Sequence, residues 1–356
     1  MSRTDIRLAI PSKGLLGRGA LDFLEACGFK VYRPNPRQYA ATIPNLPGLV
    51  VMFQRPGDIV TSLQEGSIDF GFTGLDVLEE GRSRTNDQIL TLHDQLGFAP
   101  CSLQLAVPEE LTTVRTVKDL PTHSPALGPN TPLRIATKFP NLTAEFLDKN
   151  NITNYTLVYV EGTLEIAPVI GFADMIADLV STGTTLRDNH LRPLEDGTIL
   201  ASQACLVAHK PSLQNRPEVL KMARELLEFI EAYLRAANCY LLFANMRGPN
   251  PQAIADKMLA ETTITGLQGP TISPVVPPQA NASPDNNWFA INIIVRKPEL
   301  TTAIRQLRAI GGSGVIVSPV TYIFEEEPER YQAMLQALNT PTSEVLTTNN
   351  STEKAS

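Results

Sequence analysis

The sequence predicts an α/β fold of two or three domains. Short apolar strands at Ile6 to Ile10, Leu49 to Phe53 and Ile68 to Phe72 alternate with helical segments. This βαβ order predicts a parallel sheet, in which ligands bind at the carboxyl ends of the strands. The 356 residues, 43% of them hydrophobic, are enough to bury more than one core.

The segments between and after these strands complete two lobes. A helix with Leu16 and Leu24 on one side follows the first strand, and Asp58 to Glu65 is a second predicted helix. A further run of strands begins at Leu103 to Val107 and continues to Thr156 to Val160. We interpret this run as a second lobe that closes on the first. Clefts between two lobes commonly bind small ligands.

A long helix and a small third domain are predicted after the second lobe. Apolar residues recur at helical spacing from Glu218 to Phe243, which indicates core packing or a subunit contact. The elements predicted beyond it are a helix over Asn250 to Leu259, an exposed loop over Pro270 to Asn287, a strand over Trp288 to Val295, a helix over Leu300 to Ile310, a strand over Val315 to Val320 and a disordered segment from Asn339 onward.

Charge and cysteine usage exclude several classes of protein. A net charge of -7 disfavours nonspecific binding of nucleic acid, although a local cationic cleft can still bind anions. The four cysteines are scattered without pair spacing, which argues against a zinc site or a disulfide framework and indicates a reducing compartment. No apolar run is long enough to cross a membrane, and the first residues lack the core of a signal peptide. We therefore expect a soluble, cytoplasmic protein.

The most informative segment runs from Asp174 to Leu186. A short apolar strand carries Asp174 and Asp178, four residues apart and so on one face, and then opens into hydroxyls grouped around Gly183. Glycine adopts positive φ at little cost, so successive backbone N–H groups can turn inward around an anion. The hydroxyls belong to Ser181, Thr182, Thr184 and Thr185.

The acids and the hydroxyls together suggest a phosphorylated sugar. Carboxylates would repel a bare phosphate, but they can accept hydrogen bonds from the hydroxyls of a ribose 5-phosphate. The more common role of a hydroxyl-rich turn is to cap a helix. Four hydroxyls, one glycine and two acids on one face coincide here, which favours the sugar-phosphate interpretation.

Three loops at predicted strand ends add polar groups to one sheet edge. Lys13 follows the first strand, where an anion could meet it and helix amides, although such a lysine is more often a solvated surface charge. Arg55 follows the second strand and suits a pyrophosphate, but an ion pair with Asp58 or Asp76 explains it equally well. Gly74 precedes Asp76 after the third strand. No histidine adjoins a serine or cysteine in a nucleophile motif, so covalent catalysis has no support.

These stretches resemble the ATP phosphoribosyltransferase family, which catalyses the first committed step of histidine biosynthesis. They keep the family's order over most of the first 210 residues, and the third domain resembles the ACT-like regulatory domain of the family's long form. The resembling stretches are Ala9 to Gly14, Asn35 to Tyr39, Phe53 to Pro56, Gly71 to Asp76, Gly162 to Pro168 and Asp174 to Leu186, followed by Gly269 to Thr271, Trp288 and Leu307 to Gly312.

The resemblance implies a fold and domain boundaries. The implied fold is a two-lobed, periplasmic-binding-protein-like (type II) α/β core followed by a ferredoxin-like, ACT-like α+β domain. The implied boundaries are 1–98 and 191–220 for the first lobe, 99–190 for the second lobe with the phosphoribosyl pyrophosphate loop, 221–244 for a connecting helix, 245–336 for the regulatory domain and 337–356 for a disordered tail.

The resemblance also implies a pentosyltransferase reaction, in which ATP and phosphoribosyl pyrophosphate give N1-(5-phosphoribosyl)-ATP and pyrophosphate. Adenine N1 is already a nucleophile and Mg²⁺-bound pyrophosphate a good leaving group, so the protein must mainly position the substrates and stabilise charge. Mg²⁺ is expected to bind mainly through the pyrophosphate. The implied assembly is a homohexamer in equilibrium with a dimer and inhibited by histidine, with no nucleic-acid or membrane partner.

Roles for individual residues follow from the same resemblance. Ser181 to Thr185 would hold the 5-phosphate, Asp174 and Asp178 would face the ribose hydroxyls, and Glu161 and Gly162 would lie nearby. The residues expected to stabilise charge and to orient the substrates during catalysis are Asp174, Asp178, Lys13 and Arg55. The residues expected to meet ATP or pyrophosphate are Lys13, Gly14, Arg18, Arg55, Gly74 and Asp76.

Two positions depart from the family's pattern, and two other functions remain open. Leu15 stands where the family usually has an arginine, with Arg18 three residues on, and Glu161 stands where relatives carry aspartate or serine. One alternative is a two-lobed binding or sensor module without catalysis, against which the paired-acid loop argues. The other is a phosphoribosyltransferase for a different base.

Overall fold

The computed structural model describes residues 4–35, 38–82, 88–276 and 287–339. Its contacts divide the chain into two compact units, which are Met1–Ala223 with Arg330–Ser356, and Arg224–Glu329. In the described ranges no helix is long and apolar enough to cross a membrane. The elements in chain order are β1 (Ile6–Pro11), α1 (Gly14–Ala26), β2 (Ala40–Thr42), β3 (Leu49–Gln54), α2 (Pro56–Gln64), β4 (Phe70–Gly74), α3 (Leu75–Gly81), β5 (Ile89–His93), β6 (Cys101–Pro108), β7 (Leu133–Thr137), α4 (Pro140–Lys149), β8 (Tyr155–Tyr159), β9 (Met175–Val180), α5 (Thr184–Asp188), β10 (Leu191–Ser202), β11 (Ala204–His209), α6 (Lys210–Asn215), α7 (Pro217–Ala237), β12 (Cys239–Arg247), α8 (Pro251–Glu261), β13 (Thr271–Pro274), β14 (Trp288–Arg296), α9 (Leu300–Ala309), β15 (Ser313–Pro319) and α10 (Glu329–Asn339).

Lobe I of the first unit is built on a sheet with the strand order β2-β3-β1-β4-β11-β5. β1 pairs in parallel with β3 and β4, while β11 runs antiparallel to β4 and β5. β4 is buried along its whole length and β1 along nearly all of it, as expected for central parallel strands covered on both faces. The carboxyl ends of β1, β3 and β4 therefore meet at one edge.

Lobe II of the same unit is built on a sheet with the order β10-β6-β9-β7-β8. β7 pairs in parallel with β8 and β9, and β6 runs antiparallel to β9 and β10. Leu105, Ile135, Leu147 and Met175 lie in its core. The parallel part of this sheet brings the ends of β7, β8 and β9 to one edge.

The chain crosses between the lobes twice, and the crossings lie side by side. The first leads from β5 to β6 and the second from β10 to β11, and the amide of Ala204 donates to the Phe98 carbonyl at 3.1 Å. The sequence assigned residues 191–220 to lobe I, but β10 pairs with β6 of lobe II. The chain thus returns to lobe I after Ser202, because β10 completes the second sheet as an edge strand.

The second unit has the element order β12-α8-β13-β14-α9-β15 and the sheet order β13-β14-β12-β15, with every pair antiparallel. This arrangement is the split βαβ of a ferredoxin-like fold. Leu242, Ile291 and Leu307 are fully buried in its core. With the two-lobed α/β core, it confirms the predicted fold class.

The predicted helix over Glu218 to Phe243 is wrong at its C-terminal end. α7 ends at Ala237, and Cys239 begins β12, a central strand of the second unit. In β12, Leu242, Ala244 and Met246 are buried with a period of two. The predicted connecting helix 221–244 and the domain start at residue 245 therefore cut through this strand.

Two further predictions differ from the structure. Thr271–Pro274 of the predicted loop pairs with β14 as β13, whereas residues 277–286 of that loop lie outside the described residues. α10 groups with the first unit rather than with the predicted regulatory domain. Within that unit, Arg330 forms a 2.7 Å ion pair with Asp94. Residues 340–356 of the predicted disordered tail also lie outside the described residues.

Candidate active site

A cleft of about 820 Å³ lies between the two lobes of the first unit. Its walls are the segments that follow β3 and β4 in lobe I, the segments that follow β7 and β8 in lobe II, and the end of β9. These are carboxyl ends of parallel strands, where α/β sheets bind ligands. Among the residues predicted from the sequence, those that line the cleft are Arg55, Asp76, Glu161, Gly162 and Asp178.

Arg55 is an exposed side chain at the N-cap of α2. An ion pair with Asp58 or Asp76 was the alternative explanation of this arginine. In the part of the chain that the structure describes, Arg55 has no carboxylate partner. Its planar guanidinium is therefore available to an anionic ligand in the cleft.

Asp76 is almost fully buried, at 2% exposure, in the first turn of α3. The hydroxyl of Ser202 donates to its carboxylate at 2.5 Å and accepts a bond from its amide at 3.0 Å. Burial raises the pKa of Asp76, and the hydrogen bond from Ser202 opposes this rise. A Cβ at Gly74 would collide with the Asp76 carboxylate. Gly74 and Asp76 thus shape the cleft wall beside the crossing at Ser202.

Asp178 lies near the end of β9, and its carboxylate accepts a 2.7 Å hydrogen bond from the amide of Leu179. Burial raises the pKa of Asp178 from 3.8 to about 6, and the negative charge of Glu165 adds to the rise. The positive charge of Lys138 lowers it. Asp178 is therefore mostly ionised at neutral pH and becomes protonated in mild acid.

Asp174 occupies a different environment, just before the start of β9. Its carboxylate forms a 2.9 Å ion pair with Arg134 and accepts a 2.8 Å hydrogen bond from Ser124. Burial alone would raise the pKa of Asp174, but the bonds from Arg134 and Ser124 outweigh it and the pKa is lowered. Asp174 does not line the cleft, and its bonds fasten the start of β9 to β7.

The loop after β9 presents open backbone donors. Gly183 has φ +71°, which L side chains adopt only with strain, and it is the N-cap of α5. The amides of Ser181, Thr182 and Gly183 donate no hydrogen bond to any residue that the structure describes. Thr182 and Thr184 contact each other through their hydroxyls at 3.1 Å. Thr185 is exposed in the first turn of α5.

Arg187 lies beside this loop and was not predicted from the sequence. Its guanidinium donates to the Thr184 hydroxyl at 3.2 Å and to the Thr182 carbonyl at 3.4 Å. Ser181, Thr182, Gly183, Arg187 and Arg192 are among the residues that line a groove of about 550 Å³. The signal that could have found Arg187 is its position one helical turn after Thr184.

The first loop of lobe I lies at the start of α1. Lys13 is the N-cap, Gly14 has φ +75°, and Arg18 is exposed in the following turn. Within the described residues neither Lys13 nor Arg18 has an ion-pair partner. Leu15 is 66% exposed. The residue of α1 that lines the cleft is Leu16. The predicted residues Lys13, Gly14 and Arg18 therefore lie outside the cleft lining.

Sequence reasoning also missed residues in the wall of lobe II, among them Lys138, Tyr159 and Glu165. Lys138 directly follows β7, and no described residue pairs with it. A lysine that follows a strand and precedes a helix is the same signal that marked Lys13 in lobe I. No group of three or more His, Cys, Asp or Glu side chains is placed to hold a metal ion within the described ranges.

Comparisons with known proteins cover nearly the whole chain. Residues 55–231 match the family model described as ATP phosphoribosyltransferase, and residues 236–322 match the model of its C-terminal domain. ATP phosphoribosyltransferase 1, chloroplastic, from Arabidopsis thaliana is 42% identical over 340 residues, which is 95% of this chain and 82% of that protein. The ATP phosphoribosyltransferase of Methanothermobacter thermautotrophicus is 33% identical over 89% of this chain and 99% of its own length.

A solved structure shows a partial match. The ATP phosphoribosyl transferase (HisG:HisZ) complex from Thermotoga maritima contains a chain that is 28% identical, with a TM-score of 0.49, over 64% of this chain and 98% of its own length.

The family matches over the two-lobed core and over the ferredoxin-like unit define a pentosyltransferase with a separate C-terminal domain. The identity to named relatives over most of the chain then fixes the family. The chain belongs to the ATP phosphoribosyltransferase family, in its long form, and is an enzyme of histidine biosynthesis.

Proposed function

We propose that the two-lobed core binds ATP and phosphoribosyl pyrophosphate together and joins adenine N1 to the ribose, with release of pyrophosphate. The observation that carries this proposal is the open loop at Ser181 to Gly183, which follows directly after the cleft carboxylate of Asp178 and lies beside Arg187. The amides of this loop have no hydrogen-bond partner among the described residues. The amides and Arg187 can donate hydrogen bonds to a phosphate, and the Asp178 carboxylate can accept them from ribose hydroxyls.

The 5-phosphate binds at Ser181 to Thr185. Backbone amides that turn inward at a positive-φ glycine are suited to an anion. The hydroxyls of Thr182 and Thr184 rotate to donate to phosphate oxygens. Arg187 adds a charge-assisted donor at the rim.

The ribose binds against Asp178 of lobe II. An ionised carboxylate accepts hydrogen bonds from the ribose hydroxyls, and its negative charge stabilises positive charge that develops at the anomeric carbon. Glu161 and Gly162 line the same wall of the cleft. Asp174 is not included in this proposal, because Arg134 and Ser124 already occupy its carboxylate.

ATP and the pyrophosphate meet the cations of the cleft. Arg55 of lobe I and Lys138 of lobe II line the cleft without carboxylate partners in the described residues, so both can bind phosphate oxygens. Lys13, Gly14 and Arg18 at the start of α1 are proposed to reach ATP by family likeness. Gly74 and Asp76 shape the wall between these groups.

Mg²⁺ fits this site as an ion carried by the pyrophosphate. Mg²⁺ keeps several waters and usually takes one or two carboxylates together with substrate phosphates. Two carboxylates of the cleft, Asp178 and Glu165, are proposed for this role, since the negative charge of Glu165 acts on Asp178. The ion would neutralise the leaving group when bound.

Regulation, assembly and location are part of the same proposal. We propose that histidine binds to the second unit and inhibits the core, and that the chain assembles as a hexamer in equilibrium with a dimer. The match of residues 236–322 to the C-terminal domain model of this family supports the proposed role of the second unit in regulation. A reducing compartment such as the cytoplasm is proposed because all four cysteines are unpaired.

Pyrophosphate release by the purified full chain tests the proposal. We expect release that requires ATP, phosphoribosyl pyrophosphate and Mg²⁺ together, with a product whose mass equals phosphoribosyl-ATP. Release with a different base in place of ATP would select another phosphoribosyltransferase. No release with any base would select a binding module and overturn the proposal.

A further inference from the structure

Glu80 ties lobe I to lobe II at a point away from the two chain crossings. It lies near the C-terminal end of α3, and its carboxylate accepts hydrogen bonds from the amides of Asn141 and Leu142 at 2.9 and 3.0 Å. The side-chain amide of Asn141 donates to the Glu80 carbonyl at 3.1 Å. Three hydrogen bonds between the lobes therefore converge on one residue.

The sequence of α4 explains why a carboxylate from the other lobe binds there. The N-cap residue is Phe139, which offers no side-chain cap, and the helix begins with Pro140. The first amides of a helix have no partners inside it, and the positive end of the helix dipole favours an anion. Glu80 of lobe I thus supplies the cap that α4 of lobe II lacks in its own sequence.

The same residue lines the cleft. Glu80, Lys138 and Phe139 belong to the cleft wall, so the contact between α3 and α4 lies at the edge of the substrate space. Glu80 is half-buried, and charge-assisted hydrogen bonds shielded from water are stronger than exposed ones. To open the cleft at this edge, the protein must break these bonds and expose uncapped amides.

We propose that Glu80 is a positioning residue that holds the two lobes closed, so that Arg55 of lobe I faces Lys138 and Asp178 of lobe II across the cleft. The inference rests on the proposed function, because closure assembles the groups assigned to the two substrates. Loss of the contact lowers the fraction of closed molecules. The apparent affinity for both substrates then falls by that fraction, while saturating substrate restores closure and turnover.

The variant Glu80→Gln tests this positioning role, and Glu79→Gln is the matched control. Glutamine keeps the size of Glu80 but loses the charge and one of the two acceptors. We expect the KM values for ATP and phosphoribosyl pyrophosphate to rise together by about tenfold, with kcat within about twofold of the wild type. Glu79 pairs with Arg82 on the same helix, and its substitution should change neither value.

Hydrogen exchange on the substrate-free full chain supplies a readout that does not depend on activity. In Glu80→Gln, amides in the first turn of α4 and in both cleft walls, at residues 55–58 and 161–165, should exchange faster than in Glu79→Gln. Faster exchange confined to α4 would show a plain helix cap and overturn the positioning role. A fall in kcat at unchanged KM, or unchanged KM and exchange, would also overturn it. If the wild type releases no pyrophosphate, the proposed function fails, and the exchange comparison still decides the role of Glu80.

Discussion

The guanidinium of Arg187 donates a 3.2 Å hydrogen bond to the hydroxyl of Thr184, beside a loop whose own amides have no partners among the described residues. The arginine has five donors, and the two bonds it makes to the loop are long. A dianionic phosphate in the loop would bring the amides, the hydroxyls and the guanidinium together around one charge.

The variant Arg187→Gln should weaken binding of phosphoribosyl pyrophosphate. Charge-assisted hydrogen bonds to a phosphate contribute about 1.5–3 kcal/mol, so we expect the dissociation constant to rise about 10–100-fold. Isothermal titration with phosphoribosyl pyrophosphate and Mg²⁺ measures it. Arg187→Lys keeps the charge and should recover part of the affinity. Equal affinity in the wild type and Arg187→Gln would exclude Arg187 from the phosphate site.

The variant Gly183→Val should abolish binding of phosphoribosyl pyrophosphate. Gly183 has φ +71°, and a Cβ there would lie 3.2 Å from the Arg187 guanidinium. A β-branched residue is poorly tolerated at positive φ. Gly128→Val is the matched control, because Gly128 has φ +87° and an added Cβ meets no atom within 4 Å. If both variants bind the substrate as the wild type does, the open-loop model is wrong.

The activity should fall in mild acid because Asp178 titrates there. Burial raises the pKa of Asp178 to about 6, and the proposed acceptor of the ribose hydroxyls is the ionised form. We therefore expect kcat/KM for phosphoribosyl pyrophosphate to fall as the pH drops through 6. Asp178→Asn should have lower activity throughout and lack this acid limb. A wild-type profile that is flat between pH 5 and 7.5 would contradict the role of Asp178.

Stability gives an independent check on the same group. Because the folded-state pKa lies above the unfolded value of 3.8, the native protein binds the proton more tightly than the unfolded chain. The stability from this group is fully present below pH 3.8 and is lost as the pH rises through about 6, by up to about 3 kcal/mol. The free energy of unfolding of Asp178→Asn, measured with urea, should therefore rise relative to that of the wild type as the pH increases from 3.8 to about 6.

Removal of the second unit should abolish inhibition by histidine and leave some turnover. The sequence suggested a cut before Asn245, but this position lies inside β12 and would leave half of a central strand unpaired. A chain that ends at Asn238 removes the whole sheet of that unit, together with α10 of the first unit, and retains the sheets of both lobes. Steady-state rates with and without histidine measure the effect. Inhibition that persists in the shortened chain would place the effector site in the core.

Local patterns in the sequence predicted most of the fold and part of the site. The strands of lobe I, the third domain and the loop at Gly183 follow from periodicity and turn residues close together in the chain. β12 was mistaken for helix because its apolar residues follow the apolar residues of α7 with only Asn238 between the two elements. A short apolar run fits both the period of a helix and the period of a strand. Only the pairing of this segment with β14 and β15 shows that it is a strand.

Long-range partners account for the rest of what the sequence did not reveal. Asp174 resembled Asp178 by position, but its partner Arg134 lies 40 residues earlier and removes it from the cleft. Glu80 reaches the first turn of α4 across 61 residues, and no local pattern marks it. Lys138 was within reach of local reasoning, because it lies between a strand and a helix as Lys13 does.

The location of the ribose 5-phosphate tests the account most directly. In a crystal of the full chain with phosphoribosyl pyrophosphate and Mg²⁺, we expect phosphate oxygens within about 3 Å of the amide nitrogens of Ser181, Thr182 and Gly183. The ribose hydroxyls should face Asp178 in the same crystal. A 5-phosphate bound elsewhere, with these amides still free or bonded within the chain, would contradict the account.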